Sequence, residues 1–494
     1  EIHERLVGSE MCIRDRFIGF KGTFPMWRVS FFVHVMSWID LPVVHVVAGE
    51  RFVISRKKVC FLTKDTYQTY FRQTANHLIC HVLLILPKTK NLLFMNVNFF
   101  RIFLVLSWLV PAVVTCHAQQ TARQWNSEVT AGWNLGNQFE CSAPGQDGES
   151  VAIGDPDGAD KAETAWGNPS VTKKTIKAVH DAGFNAIRIP VRWQCHITNP
   201  SAMTVSKTWM NRIKEVIDWC LEYDMKVIVN VHHDKWLESR PLYADKEENC
   251  RRLALLWMNI ANELNKYDYR VAFAGTNEVH EPDKWGKPTA ENLDVQNAYN
   301  QTFVDIVRAT GMNNTKRHLI VQTYVCNADY GLYNGDFIIP ADIEGNGNDY
   351  MSVELHYYNP WEYAGSGECY YWGEPYKQYG ASQSDEKTMT DFFDKLSREW
   401  GAKGLGVVIG EWGLTTHFKA NEADRMRENM SYYCKTLVSE ARRRGFSTFV
   451  WDNNRFGNGA DKFGIFDRDR NMAVKAPWMI QGIKEGVEAS EIRM

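Results

Sequence analysis

The stretch "VAFAGTNEVH" (271–280) begins as a run of small and apolar residues. It stops in an amide and a carboxylate, Asn277 and Glu278. A run that is apolar at every position suits a strand buried on both faces, as in a parallel sheet covered by helices. A carboxylate at its tip is costly unless water or a partner compensates it, so such a strand ends at a cleft or at solvent.

Seven other runs share this form: "AGWNLG" (131–136), "FNAIRIPV" (184–191), "KVIVNVHH" (226–233), "HLIVQTY" (318–324), "MSVELHYY" (351–358), "GVVIGEW" (406–412) and "FSTFVWD" (446–452). Amphipathic segments separate them. "NPSVTKKTIKAVHDAG" (168–183) reads as a helix capped by Asn168, with Pro169 in its first turn and Gly183 at its end. "TWMNRIKEVIDWCLEYD" (208–224) places Ile213, Val216, Ile217 and Cys220 on one face. "CRRLALLWMNIANELNKY" (250–267) and "MRENMSYYCKTLVSEARRRG" (426–445) continue the series. Eight buried strands alternating with helices predict an α/β protein, a (β/α)8 TIM barrel. A doubly wound open sheet would carry Gly-x-Gly-x-x-Gly after its first strand, and "GWNLGN" (132–137) does not match it.

The periodicity starts only near Gln119. Residues 1–94 begin with Glu1, carry "LVGSEMCIRDR" (6–16), which resembles a translated sequencing adaptor, and sustain neither period. They read as upstream DNA translated in frame. "MNVNFFRIFLVLSWLVPAVVTCHAQQ" (95–120) has the form of a secretory signal: Arg101, an apolar stretch too short to span a membrane, and Ala118 at a cleavage point. The expected mature chain is therefore 119–494, secreted to the periplasm or the exterior, without a membrane span and monomeric.

Composition narrows the function. Residues 119–494 carry 10 more carboxylates than cationic side chains. That balance argues against nucleic acid, whose phosphates need basic clusters, and favours a neutral polymer as partner. The same region has seven cysteines and no Cys-x-x-Cys pair, so no finger-type zinc site is expected.

In a TIM barrel the C-terminal strand ends surround one mouth, where the chemistry sits. Here they supply Asn137, Arg188, His232, His233, Asn277, Glu278, His356, Tyr358, Glu411 and Trp451. Glu278 and Glu411 belong to the fourth and seventh strands, on roughly opposite sides of the ring. Two carboxylates facing across a cleft suit glycosidic-bond cleavage. Zinc held by "HHD" (232–234) and His356 is the metallohydrolase alternative, though the first strand lacks a His-x-His pair. A non-catalytic sugar-binding barrel is the third reading.

The ordered set "GWNLGNQFE", "ETAWGNP", "AGFNAIRIPVRW", "VIVNVHHD", "AGTNEV", "ELHYYNP", "VIGEWG" and "FVWDNN" resembles glycoside hydrolase family 5, the cellulase-type retaining β-glycanases. The resemblance spans nearly all of 119–494 and implies an endo-β-1,4-glucanase acting on cellulose, with xyloglucan or mixed-linkage β-glucan as further substrates. β-Mannan is the competing backbone. By the same resemblance Glu278 matches the acid/base and Glu411 the nucleophile. Asn277 matches the ligand of the sugar 2-hydroxyl, and Arg188 and Tyr358 the partners of the nucleophile. His232 and His356 match histidines at the cleaved bond, and Trp451 the aromatic platform beneath that sugar. No cofactor or metal is implied. Val279 stands where the family usually has proline. Trp133, Trp166, Trp193, Trp236, Trp361 and Trp372 are expected to divide between packing and outer sugar contacts. The aromatic loop 359–380 is expected to touch substrate.

Overall fold

The computed structural model describes residues 43–47, 50–55, 58–61, 120–143, 159–332 and 337–491. The chain divides into two units, Glu1–Cys116 and His117–Met494. The first contains a three-stranded antiparallel sheet of Val43–Val47, Glu50–Ser55 and Lys58–Phe61. The remainder of the expected upstream translation, and the whole expected export signal (95–118), lie outside the described residues.

The second unit is a closed barrel of eight parallel strands, each hydrogen-bonded to the next in sequence and the last to the first. They are β1 (Gly132–Leu135), β2 (Ala186–Ile189), β3 (Lys226–Asn230), β4 (Val271–Ala274), β5 (Leu319–Gln322), β6 (Met351–His356), β7 (Gly406–Trp412) and β8 (Ser447–Asp452). The crossover helices are α1 (Lys173–Asp181), α2 (Lys207–Glu222), α3 (Tyr243–Leu264), α4 (Ala290–Ala309), the single turn α5 (Asp329–Leu332), α6 (Glu386–Glu399), α7 (Ala423–Arg442) and α8 (Pro477–Glu491). All eight strands fall inside the runs read from sequence. Six of those runs overshoot the ladder at its C-terminal end, because the residues past it leave the sheet to form the mouth.

One helix start differs from expectation. The cap of α1 is Thr172, whose hydroxyl accepts from the Thr175 backbone N–H while the Thr175 hydroxyl takes the Thr172 N–H. Asn168 is drawn elsewhere: its Nδ2 donates to the Asn137 carbonyl at 2.7 Å, and its Oδ1 accepts from Asn454 at 3.1 Å. In α2 the apolar stripe holds, with Ile213, Val216, Ile217 and Cys220 all buried.

Two apolar layers follow from strand alternation. Outward residues such as Ile187, Val227, Phe273, Val353 and Ile409 pack under the helices. Inward residues Ala186, Ile228, Ala272, Ala274, Ile320, Val408 and Phe449 fill the lower barrel. Gly132 is small because a Cβ there would enter the Phe449 ring. A short helix, Ala122–Glu128, closes the bottom with Trp125, which meets His318 edge-on at 4.8 Å and lies under the Lys226 ammonium at 5.0 Å. Above the apolar layer the inward positions turn polar: Asn134, Arg188, Asn230, Gln322, Glu354 and His356. Cys141, Cys220, Cys250, Cys326, Cys369 and Cys434 carry free thiols. No helix among the described residues is long and apolar enough to cross a membrane.

Candidate active site

The polar layer is organised around Arg188, which is completely buried. Its Nη1 donates to Glu411 Oε1 at 2.9 Å and to Asn134 Oδ1 at 3.0 Å. Its Nη2 donates to Asn277 Oδ1 at 2.8 Å, and its Nε lies 3.0 Å from Glu354 Oε1. Alternation alone puts Arg188 there, two residues after inward Ala186 on β2.

Glu411 needs more than alternation. Val408 points inward and Ile409 outward, so a regular strand would turn Gly410 inward and Glu411 outward. The register of β7 shifts at this point: Leu355 pairs with Ile409, but the next residue, His356, pairs with Glu411. The extra residue is a β-bulge, which reverses the facing and delivers Glu411 to the mouth. There Tyr358 Oη donates to Glu411 Oε2 at 3.1 Å.

Asn277 and Glu278 lie past the last ladder residue of β4, and so adjacent residues can both face the cleft. Glu278 Oε1 is 2.6 Å from His356 Nδ1, while His356 Nε2 sits 3.6 Å from both Glu354 Oε1 and Glu411 Oε1. Oxygens of Glu278 and Glu411, with a nitrogen of His356, all fall within 4.8 Å of one another. The two carboxyls are not equally wet: the Glu278 side chain is 22% exposed and that of Glu411 8%.

The charges are interdependent. Burial pushes the Glu411 carboxyl up from its ordinary value, against the pull of His356 and Arg188. Burial also opposes a charge on His356, but its anionic surroundings outweigh it and hold the imidazole well above its ordinary value. Burial pushes the neighbouring Cys326 thiol up to about 12, so near neutrality the carboxylates, not the sulfur, supply that field. Burial, then Glu411, keep Tyr358 protonated as a donor. Two cations, Arg188 and His356, thus face three carboxyl groups, Glu278, Glu354 and Glu411. One added proton makes the cluster neutral.

His232 flanks this cluster. Asn230 Oδ1 accepts from the Val191 N–H at 3.1 Å, so its amide nitrogen donates to His232 Nδ1, also at 3.1 Å. That assigns the proton to His232 Nε2, on the side of Asn277. Burial keeps this imidazole neutral by lowering its pKa well below the ordinary value. Its ring is nearly parallel to Trp451, 12° apart with centroids at 6.1 Å. His233 adopts φ 58°, donates its backbone N–H to Glu238 at 2.8 Å, and faces Trp166 at 6.2 Å. Asp234 turns away and accepts from the backbone of Trp193 and Gln194. "HHD" and His356 therefore do not converge as a ligand set. The group that converges is Glu278, His356 and Glu411, whose imidazole already faces carboxylates through both nitrogens.

Asn137 stands apart from this network. It forms a corner at φ 55°, with its backbone N–H on Glu140 and its carbonyl on Asn168. The inward amide of β1 is Asn134. Sequence reading missed Asn134 and Glu354, although Glu354 precedes His356 by two residues in a strand whose alternate members face the mouth. Of the tryptophans, Trp133, Trp193, Trp236 and Trp372 are packing, whereas Trp361 is 56% exposed and meets Tyr358 edge-on at 6.2 Å.

The cellulase model, glycosyl hydrolase family 5, matches residues 146–457. Endoglucanase B of Clostridium cellulovorans is 32% identical over 380 residues, covering 75% of this chain and 77% of that protein. Among solved structures, a broad-specificity endoglucanase of Ruminococcus champanellensis with bound cellotriose superposes with a TM-score of 0.63 at 29% identity, covering 74% of this chain and 98% of that one. A Bacteroides ovatus xyloglucanase in complex with a XXXG heptasaccharide gives 0.66 at 29%, covering 74% and 77%.

Proposed function

The chain belongs to glycosyl hydrolase family 5, and from that membership we propose that it is a retaining endo-β-1,4-glucanase with Glu411 as nucleophile and Glu278 as acid/base. The observation that carries this reading is the approach of the two carboxyls within 4.8 Å. Double-displacement glycosidases hold theirs about 5–5.5 Å apart, whereas inverting enzymes leave room for a water between.

Glu411 attacks the anomeric carbon. Arg188 and Tyr358 hold one oxygen each, so a lone pair is aimed while the charge stays localised. Glu278, on the wetter side, delivers its proton to the departing glycosidic oxygen. It then takes a proton from the water that releases the sugar from Glu411, and the anomeric configuration is kept. Asn277 Nδ2 and His232 Nε2 lie 3.4 Å apart and are both donors, since Arg188 and Asn230 occupy their other polar atoms, so both are left for the sugar hydroxyls rather than for each other. Trp451 lies beside them as an apolar face for the ring. The relatives are endoglucanases and a xyloglucanase by name, and the bound cellotriose and XXXG of the matched structures support a glucan chain as partner.

Glu411→Gln is expected to lower hydrolysis by at least about 10³-fold with the fold intact. NMR of the first product is expected to show the β-anomer. Full activity of that variant, or the α-anomer, refutes the assignment. Carboxymethylcellulose, xyloglucan, barley β-glucan and mannan assayed together define the backbone, and preference for mannan would replace glucanase by mannanase. Export belongs to the same proposal: residues 95–118 direct secretion, and the mature enzyme acts as a monomer. A mature N-terminus at Gln119 and a monomeric mass by light scattering are the expected results.

A further inference from the structure

Glu354 has no part in bond making, yet it touches both halves of the machinery. It is fully buried on β6. Oε1 lies 3.0 Å from Arg188 Nε and 3.6 Å from His356 Nε2, and Oε2 accepts from Gln322 Nε2 at 2.7 Å. Arg188 goes on to Glu411 and Asn277, and His356 to Glu278. The neighbouring strand is shaped around this carboxylate: a Cβ at Gly410, the residue before Glu411, would collide with Glu354 Oε1.

We propose that Glu354 is a positioning residue for the reaction, a single buried anion that holds Arg188 toward Glu411 and Asn277 and His356 toward Glu278. The inference rests on the roles of Glu278 and Glu411 given above. The charged and titratable groups facing Glu354 are Arg188 from β2, Cys326 from beyond β5, His356 on its own strand and Glu411 on β7, with Glu278 reached through His356. Neutralising Glu354 therefore removes a like charge from beside Glu411, which then ionises at lower pH. It also removes a counter-ion from His356, so that imidazole loses its proton at lower pH. Both limbs of the activity profile move the same way, which loosened packing would not cause.

The test is the pH dependence of kcat/KM for Glu354→Gln and Glu354→Asp, with Glu411→Gln beside them. Glu354→Gln is expected to lower kcat at least about tenfold with KM little changed, and to move both limbs about one unit toward acid. Glu354→Asp keeps the charge, and its limbs are expected to lie nearer the wild type. A folded Glu354→Gln with unmoved limbs overturns the proposal while an inactive Glu411→Gln leaves the site intact. An active Glu411→Gln overturns the site itself. If Glu354→Gln does not fold, nitrogen-15 NMR of the wild type decides. His356 is expected to carry protons on both ring nitrogens at neutral pH, and a neutral ring overturns the proposal.

Discussion

At the scale of single residues, Glu278 and Glu411 are chemically identical and environmentally unlike. Glu411 is locked between Arg188 and Tyr358, whereas Glu278 shares one oxygen with His356 and keeps contact with water. That asymmetry predicts different consequences of amide replacement. Glu278→Gln is expected to lose polymer hydrolysis by about 10³-fold while retaining much of its glycosylation rate on aryl cellobiosides with a strongly acidic phenol, which departs without a proton. Equal losses on both substrates would remove Glu278 from the acid role. Both glutamates were legible from sequence because each ends an apolar strand in polar residues. Glu354 was less so, because within "MSVELHYY" it reads as one polar position of an alternating strand. Only its distances to Arg188 and His356 reveal its task.

At the scale of elements, β6 and the loop after it contribute more side chains to the site than any other strand and loop. Alternation along β6 divides Glu354 and His356, facing in, from Val353 and Leu355, facing out. Tyr357 follows them outward and packs on Phe393 of α6 at 5.2 Å. The loop then presents Trp361 at the mouth, with Gly365 leaving room for its ring, since a Cβ there would meet it. Trp361→Ala is expected to raise KM on glucan oligosaccharides about 2- to 10-fold, with kcat changed less, as for the loss of one aromatic contact. An unchanged KM would make Trp361 a bystander. The aromatic character of this loop was readable from sequence, but which tryptophan stays exposed was not. Exposure depends on which ring the neighbouring helices cover.

At the scale of the whole molecule, the fold keeps several histidines neutral. Burial pushes His196, stacked on Trp209 at 3.6 Å, and His318, beneath the barrel, down to about 3 from an ordinary value of 6.5. Below about pH 6.5 the unfolded chain binds protons at these sites and the native chain does not, so stability falls as pH falls. The loss runs from about 6.5 to about 3 and reaches about 2 kcal/mol per histidine by pH 5. Urea unfolding at about pH 7 and about pH 5 measures it. A double variant, His196→Gln with His318→Gln, is expected to show a shallower decline, and an unchanged decline would assign it to other groups.

The order of strands and helices was settled by the sequence, because burial on both faces imposes largely apolar runs and barrel closure requires eight of them in succession. The two carboxyls proposed to react could also be picked out there, since few polar groups end such runs. The facing of Glu411 was decided only in the folded barrel. Period-2 reading from Val408 turns it outward, and the bulge between β6 and β7 turns it in. The proton balance was likewise a tertiary matter, because it depends on Arg188 of β2 meeting Glu354 and His356 of β6. A chain specifies where each residue lies along a strand, but charges couple through space.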